Sequence, residues 1–563
     1  MRFLLLFLFF YTPFFSQTNY PKDYFRLPLD IPMQLSGNFG ELRPNHFHAG
    51  LDFKTNQKEG LNVYAVADGY ISRIKISTYG YGKAIYVTHS NGLTSVYGHL
   101  QKSVGKIQDY IKKEHYNQKS YEMELFPNKN ELTVKKGDII GLSGNTGGSE
   151  GPHLHFEFRD SQTEKVINPL LCGFKSYTRD TKKPIISSLL AYPIDKNSVV
   201  NKSNRPIVIN LTLQEDGTYI SEKVAATGKL GFGIISTDTD DVSFNNNGTF
   251  KVQTFVNGNP YFSYQFDTLV FNEARYINAL IDYSRYKNTH QRVQRLFMKN
   301  TFPLSNIVCN ETNGIISMDS NLSETYKIEA SDIYENKTTI IVPIEYSNQQ
   351  STIQETPITS KYLVKANLES NFEKENWTVF FPANTFYDDF YMNFEIKDSV
   401  MTLHDDTVPT QSNFMVSVED KSITNKEKFF IASIDGKKTT YNNTKVKNNT
   451  FTTYTKNLGQ FKLVEDLIKP KITITKSIEG KIINNQNTIQ FAISDALSGI
   501  KSYNGYLNGK WILFEFEPKN RKLTHNFKDG IVAEGKNDLK LVVTDNVGNS
   551  TIFETSFFRT QKK

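Results

Sequence analysis

His153-Leu154-His155-Phe156-Glu157-Phe158 alternates polar and apolar residues without a break. That period of two predicts a strand, and it puts the side chains of His153 and His155 on the same face. Strand and turn signals continue outward from it in both directions. Upstream, Asn62 to Ala67 alternates, and Asp68-Gly69 turns into Tyr70 to Ile76. Ala84 to Thr88 reads as a strand, Asn91-Gly92 as a hairpin turn, and Leu93 to Leu100 as its returning partner. Gly137-Asp138 opens a further strand, Ile139 to Ser143, and the glycine-rich loop Gly144-Asn145-Thr146-Gly147-Gly148 leads back to His153. Helical periods are few here. The exception lies within Lys102 to Lys129, polar and helix-tolerant, which reads as an insertion at about 101–130 that could line or cover a groove.

Seven of the ten histidines fall between residues 46 and 155. Histidine is the commonest metal ligand and a frequent acid–base group, so the crowding has a chemical reading. His153 and His155 project side by side from one strand. His48-Ala-Gly-Leu-Asp52 offers another imidazole and a carboxylate four residues apart. A catalytic zinc takes three protein ligands and keeps one position open. Two imidazoles and a carboxylate would bring a single negative charge to a doubly positive ion, and the open position would hold an acidified water.

Phe47-His48-Ala49-Gly50-Leu51-Asp52, Tyr97-Gly98-His99-Leu100 and Gly151-Pro152-His153-Leu154-His155-Phe156-Glu157 resemble the three motifs of the M23 peptidases, the LytM/lysostaphin type of zinc endopeptidase. The text between them is similar too, as in Val63 to Gly69, Lys135 to Asp138 and Ile140 to Thr146-Gly147. The resemblance covers about residues 36 to 170. It implies a small antiparallel β-sheet domain of LytM, or duplicated-hybrid-motif, type. It implies that His48, Asp52 and His155 hold Zn²⁺, with His99 and His153 off the metal as catalytic groups facing the substrate. It also implies peptidoglycan stem or cross-bridge peptides as substrate. His46 falls outside the motif, and His89 and His115 read as solvent-facing or loop residues. Some relatives have lost metal ligands and act as binding proteins that activate other wall hydrolases. This chain keeps every motif position.

Around this core, the chain divides by composition. At 563 residues it has room for three to five domains. With 38% hydrophobic and 22% charged residues it can bury ordinary cores, and its 41 Phe and 30 Tyr favour strands. Residues 1–16 read as a signal peptide: Arg2, then the short apolar run Phe3 to Phe10. This predicts export to the periplasm or cell envelope, or secretion, without a membrane span. Residues 17–45 form a lead-in and 46–175 the peptidase domain. After Pro184 the chain reads as repeated β modules: 181–300, a short module or completion at 301–350, an uncertain type at 351–468, and an immunoglobulin-like sandwich at 469–563. Three segments share an Asp…Asn ending expected of a closing hairpin: Asp282 to Asn288, Asp332 to Asn336 and Asp545 to Asn549. Such modules are similar to those trailing this peptidase in Bacteroidetes proteins. They would position the enzyme or bind another envelope protein. An adhesin of β modules alone would explain them but not the histidines. Cys172 and Cys309 lie too far apart in the chain to suggest a disulfide framework or a thiolate metal site. A net charge of +6 without a basic block gives no nucleic-acid footprint.

Overall fold

The protein is described from a computed structural model covering residues 20–320, 322–353 and 360–560. The signal-peptide reading of residues 1–16 lies outside them. The His153–Asp160 strand is central to the first sheet. It pairs antiparallel with Leu51–Lys54 on one side and with Leu93–Gly98 on the other. Leu154, Phe156 and Phe158 are fully buried on one face, and His155, Glu157 and Arg159 are buried on the other. Lys83–His89, Gly69–Ile76 and Met123–Leu125 extend the sheet outward. The Asn91-Gly92 turn closes the hairpin that pairs Thr88 with Thr94, and Gly92 takes φ 83°, where a side chain would be strained. A small three-stranded sheet, Asn62–Tyr64, Ile139–Leu142 and Lys102–Ser103, accompanies it.

The lead-in belongs to this body. Leu35–Gly37 is the sheet's edge strand, paired with Leu51–Lys54, and the Phe25 ring lies 4.3 Å from that of Phe158. Burying one such ring contributes roughly 1.5–3 kcal/mol. The insertion forms a helix, Gly105–Gln118, with Ile107, Ile111 and His115 buried at four-residue spacing. That helix faces the C-terminal module: the Tyr116 hydroxyl donates to Asp529, and the Tyr116 and Trp511 rings meet edge to face at 5.5 Å. Lys83 adds an ion pair with Glu515 at 2.6 Å.

Residues 185–346 supply a second, thirteen-stranded network. Ile307–Cys309 and Ile316–Met318 pair into strands from before residue 300, so 301–350 is continuous with the sheet before it. This network is fused to the first sheet. Thr268–Leu269 pairs with Val166–Ile167, and Asn38 and Gly248 exchange two hydrogen bonds of 2.8 and 3.0 Å. Of the three Asp…Asn endings, two are hairpin turns: Asp332–Asn336 joins Ser323–Ser331 to Lys337–Tyr346, and Asp545–Asn549 joins Gly535–Asp545 to Ser550–Arg559. The first is not. Asp282 caps a helix, Tyr283–Thr289, by accepting from the Arg285 backbone N–H at 3.2 Å. Its longer spacing from Asp to Asn fits two helical turns better than a tight hairpin.

Residues 362–465 form two five-stranded sheets around Trp377, Phe381, Phe394 and Phe461, joined by a small two-stranded pair. Residues 471–559 form two four-stranded sheets that share one core, including Phe491, Leu507, Leu523 and Phe557. Both cysteines are free, Cys172 buried and Cys309 half-buried. Among the described residues no helix is long and apolar enough to cross a membrane.

Candidate metal centre and active site

Strand pairing assembles the site. His155 stands directly opposite Asp52 on one neighbouring strand and Gly98 on the other. His99 follows that second strand in a left-handed conformation, φ 57°. His48 sits in the short connection after the His46–Phe47 strand. Gly50 lets this connection close down, since a Cβ there would lie 2.4 Å from the Phe156 carbonyl and 2.9 Å from the His155 ring.

Three ligand atoms converge. His48 Nε2 lies 3.1 Å from Asp52 Oδ1 and 3.2 Å from His155 Nδ1, and His155 Nδ1 lies 2.9 Å from Asp52 Oδ1. Tetrahedral zinc with bonds of ~2.0–2.1 Å separates its ligand atoms by about 3.3 Å. The triangle is therefore close to the size such an ion needs. The donor set also fits, because each imidazole has its other nitrogen engaged. His48 Nδ1 donates to the Asn38 carbonyl at 2.7 Å, and His155 Nε2 donates to Glu157 Oε1 at 2.9 Å. Both rings thus turn a lone pair to the centre, the tautomers that metal binding requires. All three residues are buried.

The next layer of groups is charged. Glu157 is fully buried and also accepts from the Tyr81 hydroxyl and from Arg159 Nε at 2.7 Å. Burial alone would raise the Glu157 carboxyl, but Arg159 and His155 outweigh it and hold the group at about 2. Burial likewise pushes His155 down, yet its hydrogen bonds to Asp52 and Glu157 carry it up to about 9. A proton and a divalent cation compete for that Nδ1. Tyr81 stacks on His155 with ring centroids 5.1 Å apart. Arg43 reaches the outer oxygen of Asp52, Oδ2, at 3.4 Å and Glu41 at 2.9 Å.

Two further imidazoles border the triangle. His153 Nε2 lies 3.4 Å from Asp52 Oδ1, while its Nδ1 donates to the Gly151 carbonyl at 2.8 Å. His99 Nδ1 donates to the Thr146 carbonyl at 2.8 Å, and its ring centroid is 4.8 Å from that of His153. His99 is pushed down to about 3, first by burial and then by the neighbouring imidazoles. His46 is exposed and turns to the Pro44 carbonyl. His89 and His115 overturn their expected exposure, since both are buried. His89 bonds the Asp68 carbonyl and Ser95 Oγ, and His115 bonds the Ser120 carbonyl. A neutral imidazole with its polar nitrogens paired can sit in a core. The motif reading gave no role to Glu157, Tyr81 or Arg43. Glu157 had a signal in its two-residue offset from His155. Arg43 had none, because only the fold of the lead-in brings it to Asp52.

The model for peptidase family M23 matches residues 46–116 and 114–169, and a Zu5-like domain model matches 361–466. The domain that carries the histidine cluster is thus an M23 peptidase domain. An uncharacterised metalloprotease of Haemophilus influenzae is 34% identical over 158 residues, 26% of this chain and 27% of that protein. The peptidoglycan DD-endopeptidase ShyC of Vibrio cholerae is 29% identical over 143 residues, 24% of this chain and 27% of that protein. The solved catalytic domain of lysostaphin from Staphylococcus simulans is 26% identical, covering 24% of this chain and 90% of that one, with a TM-score of 0.19. The chain spans about a quarter of the length of these two curated relatives.

Proposed function

We propose that the protein is an exported zinc endopeptidase that hydrolyses peptide bonds in peptidoglycan stems or cross-bridges. The observation that carries this reading is the triangle of His48, Asp52 and His155, its three lone pairs about 3 Å apart, with two more imidazoles beside it. The matched M23 domain and the wall-hydrolase relatives support the substrate class.

In this reading His48, Asp52 and His155 hold Zn²⁺ with one net negative charge. The ion would polarise the scissile carbonyl and supply a water acidified toward a pKa of ~7. Asn38 and Glu157 fix the two ligand imidazoles in their binding tautomers. Arg43 holds the second oxygen of Asp52 and keeps Oδ1 turned inward. His99 and His153 face the reacting groups. Each has its Nδ1–H committed to a backbone carbonyl, which leaves Nε2 as the nitrogen that can take a proton from the nucleophile and return it to the leaving amine. A protonated ring would also stabilise oxyanion charge. Residues 46–175 carry the ligands and the catalytic imidazoles, and the lead-in residues Asn38 and Arg43 orient them. The modules at 181–350, 351–468 and 469–563, the last immunoglobulin-like, place it in the envelope, where an envelope protein is their partner.

The test is metal content followed by digestion of purified sacculi. The expected result is one zinc per chain and release of peptide-cleaved fragments, abolished by a chelator and restored by zinc. Stoichiometric zinc without fragment release would overturn the substrate, and a metal-free, inert protein would overturn the enzyme.

A further inference from the structure

The Asp-x-x-x-Asn turns hold more than a hairpin. Asp332 Oδ1 accepts from the backbone N–H groups of Tyr334 and Asn336 at 2.8 Å each. Asn336 Nδ2 donates to Asp332 Oδ2 at 2.7 Å and to the Asp180 carbonyl at 3.0 Å. The Asp545 turn repeats this design, with Asn549 Nδ2 donating to Asp545 Oδ2 at 2.8 Å and to the Asp466 carbonyl at 2.9 Å. The chain leading into each sheet matches as well. Asp180 stands four residues before Pro184, and Asp466 four before Pro470. Each proline carbonyl accepts from a threonine just past its turn, Thr338 or Thr551. A third carboxylate arrives from elsewhere in each sheet, Asp238 in one and Asp495 in the other. In each place one carboxylate oxygen from each of three aspartates lies within 4.8 Å of the other two.

Such crowding needs a counter-charge. Among the described residues, no lysine or arginine forms an ion pair with Asp180, Asp238 or Asp332. Asp238 is 8% exposed, and its Oδ1 has no hydrogen-bond partner. Directly opposite it stands Asn247, joined by two backbone bonds, Asp238 N–H to the Asn247 carbonyl at 2.9 Å and the reverse at 2.7 Å. Directly opposed residues on an antiparallel bridge put their side chains on the same face, with Cβ atoms ~5 Å apart. Asn247 is 6% exposed, and its Oδ1 also lacks a partner. A buried amide oxygen without a donor thus shares a sheet face with a buried carboxylate oxygen without one. Leaving such groups unpaired in the interior is destabilising. Burial, then the charges of Asp180 and Asp332, push the Asp238 carboxyl up to about 8, and burial raises Asp180 to about 6. The second trio shows the same deficit, with Asp495 Oδ2 and the buried Ser498 Oγ unpartnered.

We propose that the oxygens of Asp180, Asp238, Asp332 and Asn247 form a binding site for a hard divalent cation of the calcium type, separate from the histidine centre. The donor set is all oxygen, with carboxylate and amide ligands and no imidazole or thiolate, which selects calcium over zinc. Bound there, the ion ties the segment before Pro184 to the sheet that follows it, and so fixes the peptidase domain relative to the first β module.

The test uses the full chain, loaded with zinc, and measures calcium bound at equilibrium dialysis. Asp238→Asn is expected to bind one calcium fewer per chain than the unaltered protein. Its unfolding midpoint should respond less to calcium, while its zinc content is unchanged. Without calcium the Asp238 carboxyl, pushed up to about 8, is largely protonated near neutral pH, so a neutral amide in its place should not lower the calcium-free midpoint. If it does, Asp180→Asn makes the same comparison. Equal calcium binding by the unaltered protein and the variant that folds would overturn the proposal.

Discussion

Glu157→Gln isolates what the buried carboxylate does for the metal centre. The substitution keeps the size of the side chain and removes one charge from a fully buried position. Three groups depend on that charge: His155 Nε2 at 2.9 Å, Arg159 Nε at 2.7 Å and the Tyr81 hydroxyl. The amide of glutamine has one acceptor oxygen, and the Arg159 guanidinium, which can only donate, claims it, so the NH₂ turns to His155 Nε2 and cannot accept there. His155 then loses the acceptor that fixes its tautomer and raises its basicity. Loss of such a partner typically costs 10–100-fold in metal affinity, or about 1.4–2.7 kcal/mol. Arg159 is only partly rescued by Glu164, at 2.9 Å. Breaking a buried ion pair by removing one partner costs ~3–5 kcal/mol, and the retained Glu164 contact puts this case at or below the lower end. The assay is zinc affinity by competition with a chelator of known strength, alongside thermal unfolding of the metal-free protein. A zinc affinity within a factor of about two of the unaltered protein would refute the claim that Glu157 tunes His155.

Three further outcomes follow from the site and the core. His155→Ala removes a ligand and is expected to lose both zinc and activity, so stoichiometric zinc in the variant would strike His155 from the ligand set. His99→Ala and His153→Ala should each keep zinc yet lose turnover by on the order of 10²-fold or more, and near-normal turnover removes that residue from the mechanism. His89 is held below its ordinary value of 6.5, chiefly by burial. The unfolded chain therefore binds its proton first, and the stability that His89 contributes is complete above about pH 6.5 and is lost as the pH falls below it. His89→Gln should lose less stability than the unaltered protein between about pH 7 and 5, read from thermal unfolding across that range, and parallel losses would rule the histidine out as the source.

How far the sequence could be read depended on the range of each interaction. Period-two alternation, the Asn91-Gly92 turn and the offset of His153 and His155 are local, and the structure shows the strand and the hairpin where the sequence indicates them. The convergence of His48 and Asp52 on His155 is not local. It rests on a register that sets Asp52 opposite His155 across 103 residues, which only the family resemblance could supply. Burial of His89 and His115 was hidden for a related reason. Their histidine content speaks for water, and the Asp68, Ser95 and Ser120 groups that satisfy them are recognised only once the chain is folded. Asp282 failed for an opposite reason, because aspartate serves equally as a turn former and as a helix cap, and the seven residues Tyr283–Thr289 settle on a helix.

The aspartate trios show where a repeat in the text becomes chemistry. The Asp-x-x-x-Asn turn by itself needs no ion, since its carboxylate is satisfied by backbone N–H groups within the turn. The second repeated spelling, Asp-x-x-x-Pro, lies 75 or more residues away from its turn in both copies. Nothing local connects the two. The fold connects them by the same pair of asparagine bonds each time. Two modules thus carry the same crowding of three carboxylates, all buried in the first and two of the three buried in the second. A packed sheet has no need of such a cluster, since apolar groups of the same size would be cheaper to bury. Retention in both copies is what a cation-dependent joint requires. It makes the stiffness of the link between the peptidase domain and its modules a function of calcium rather than of packing alone.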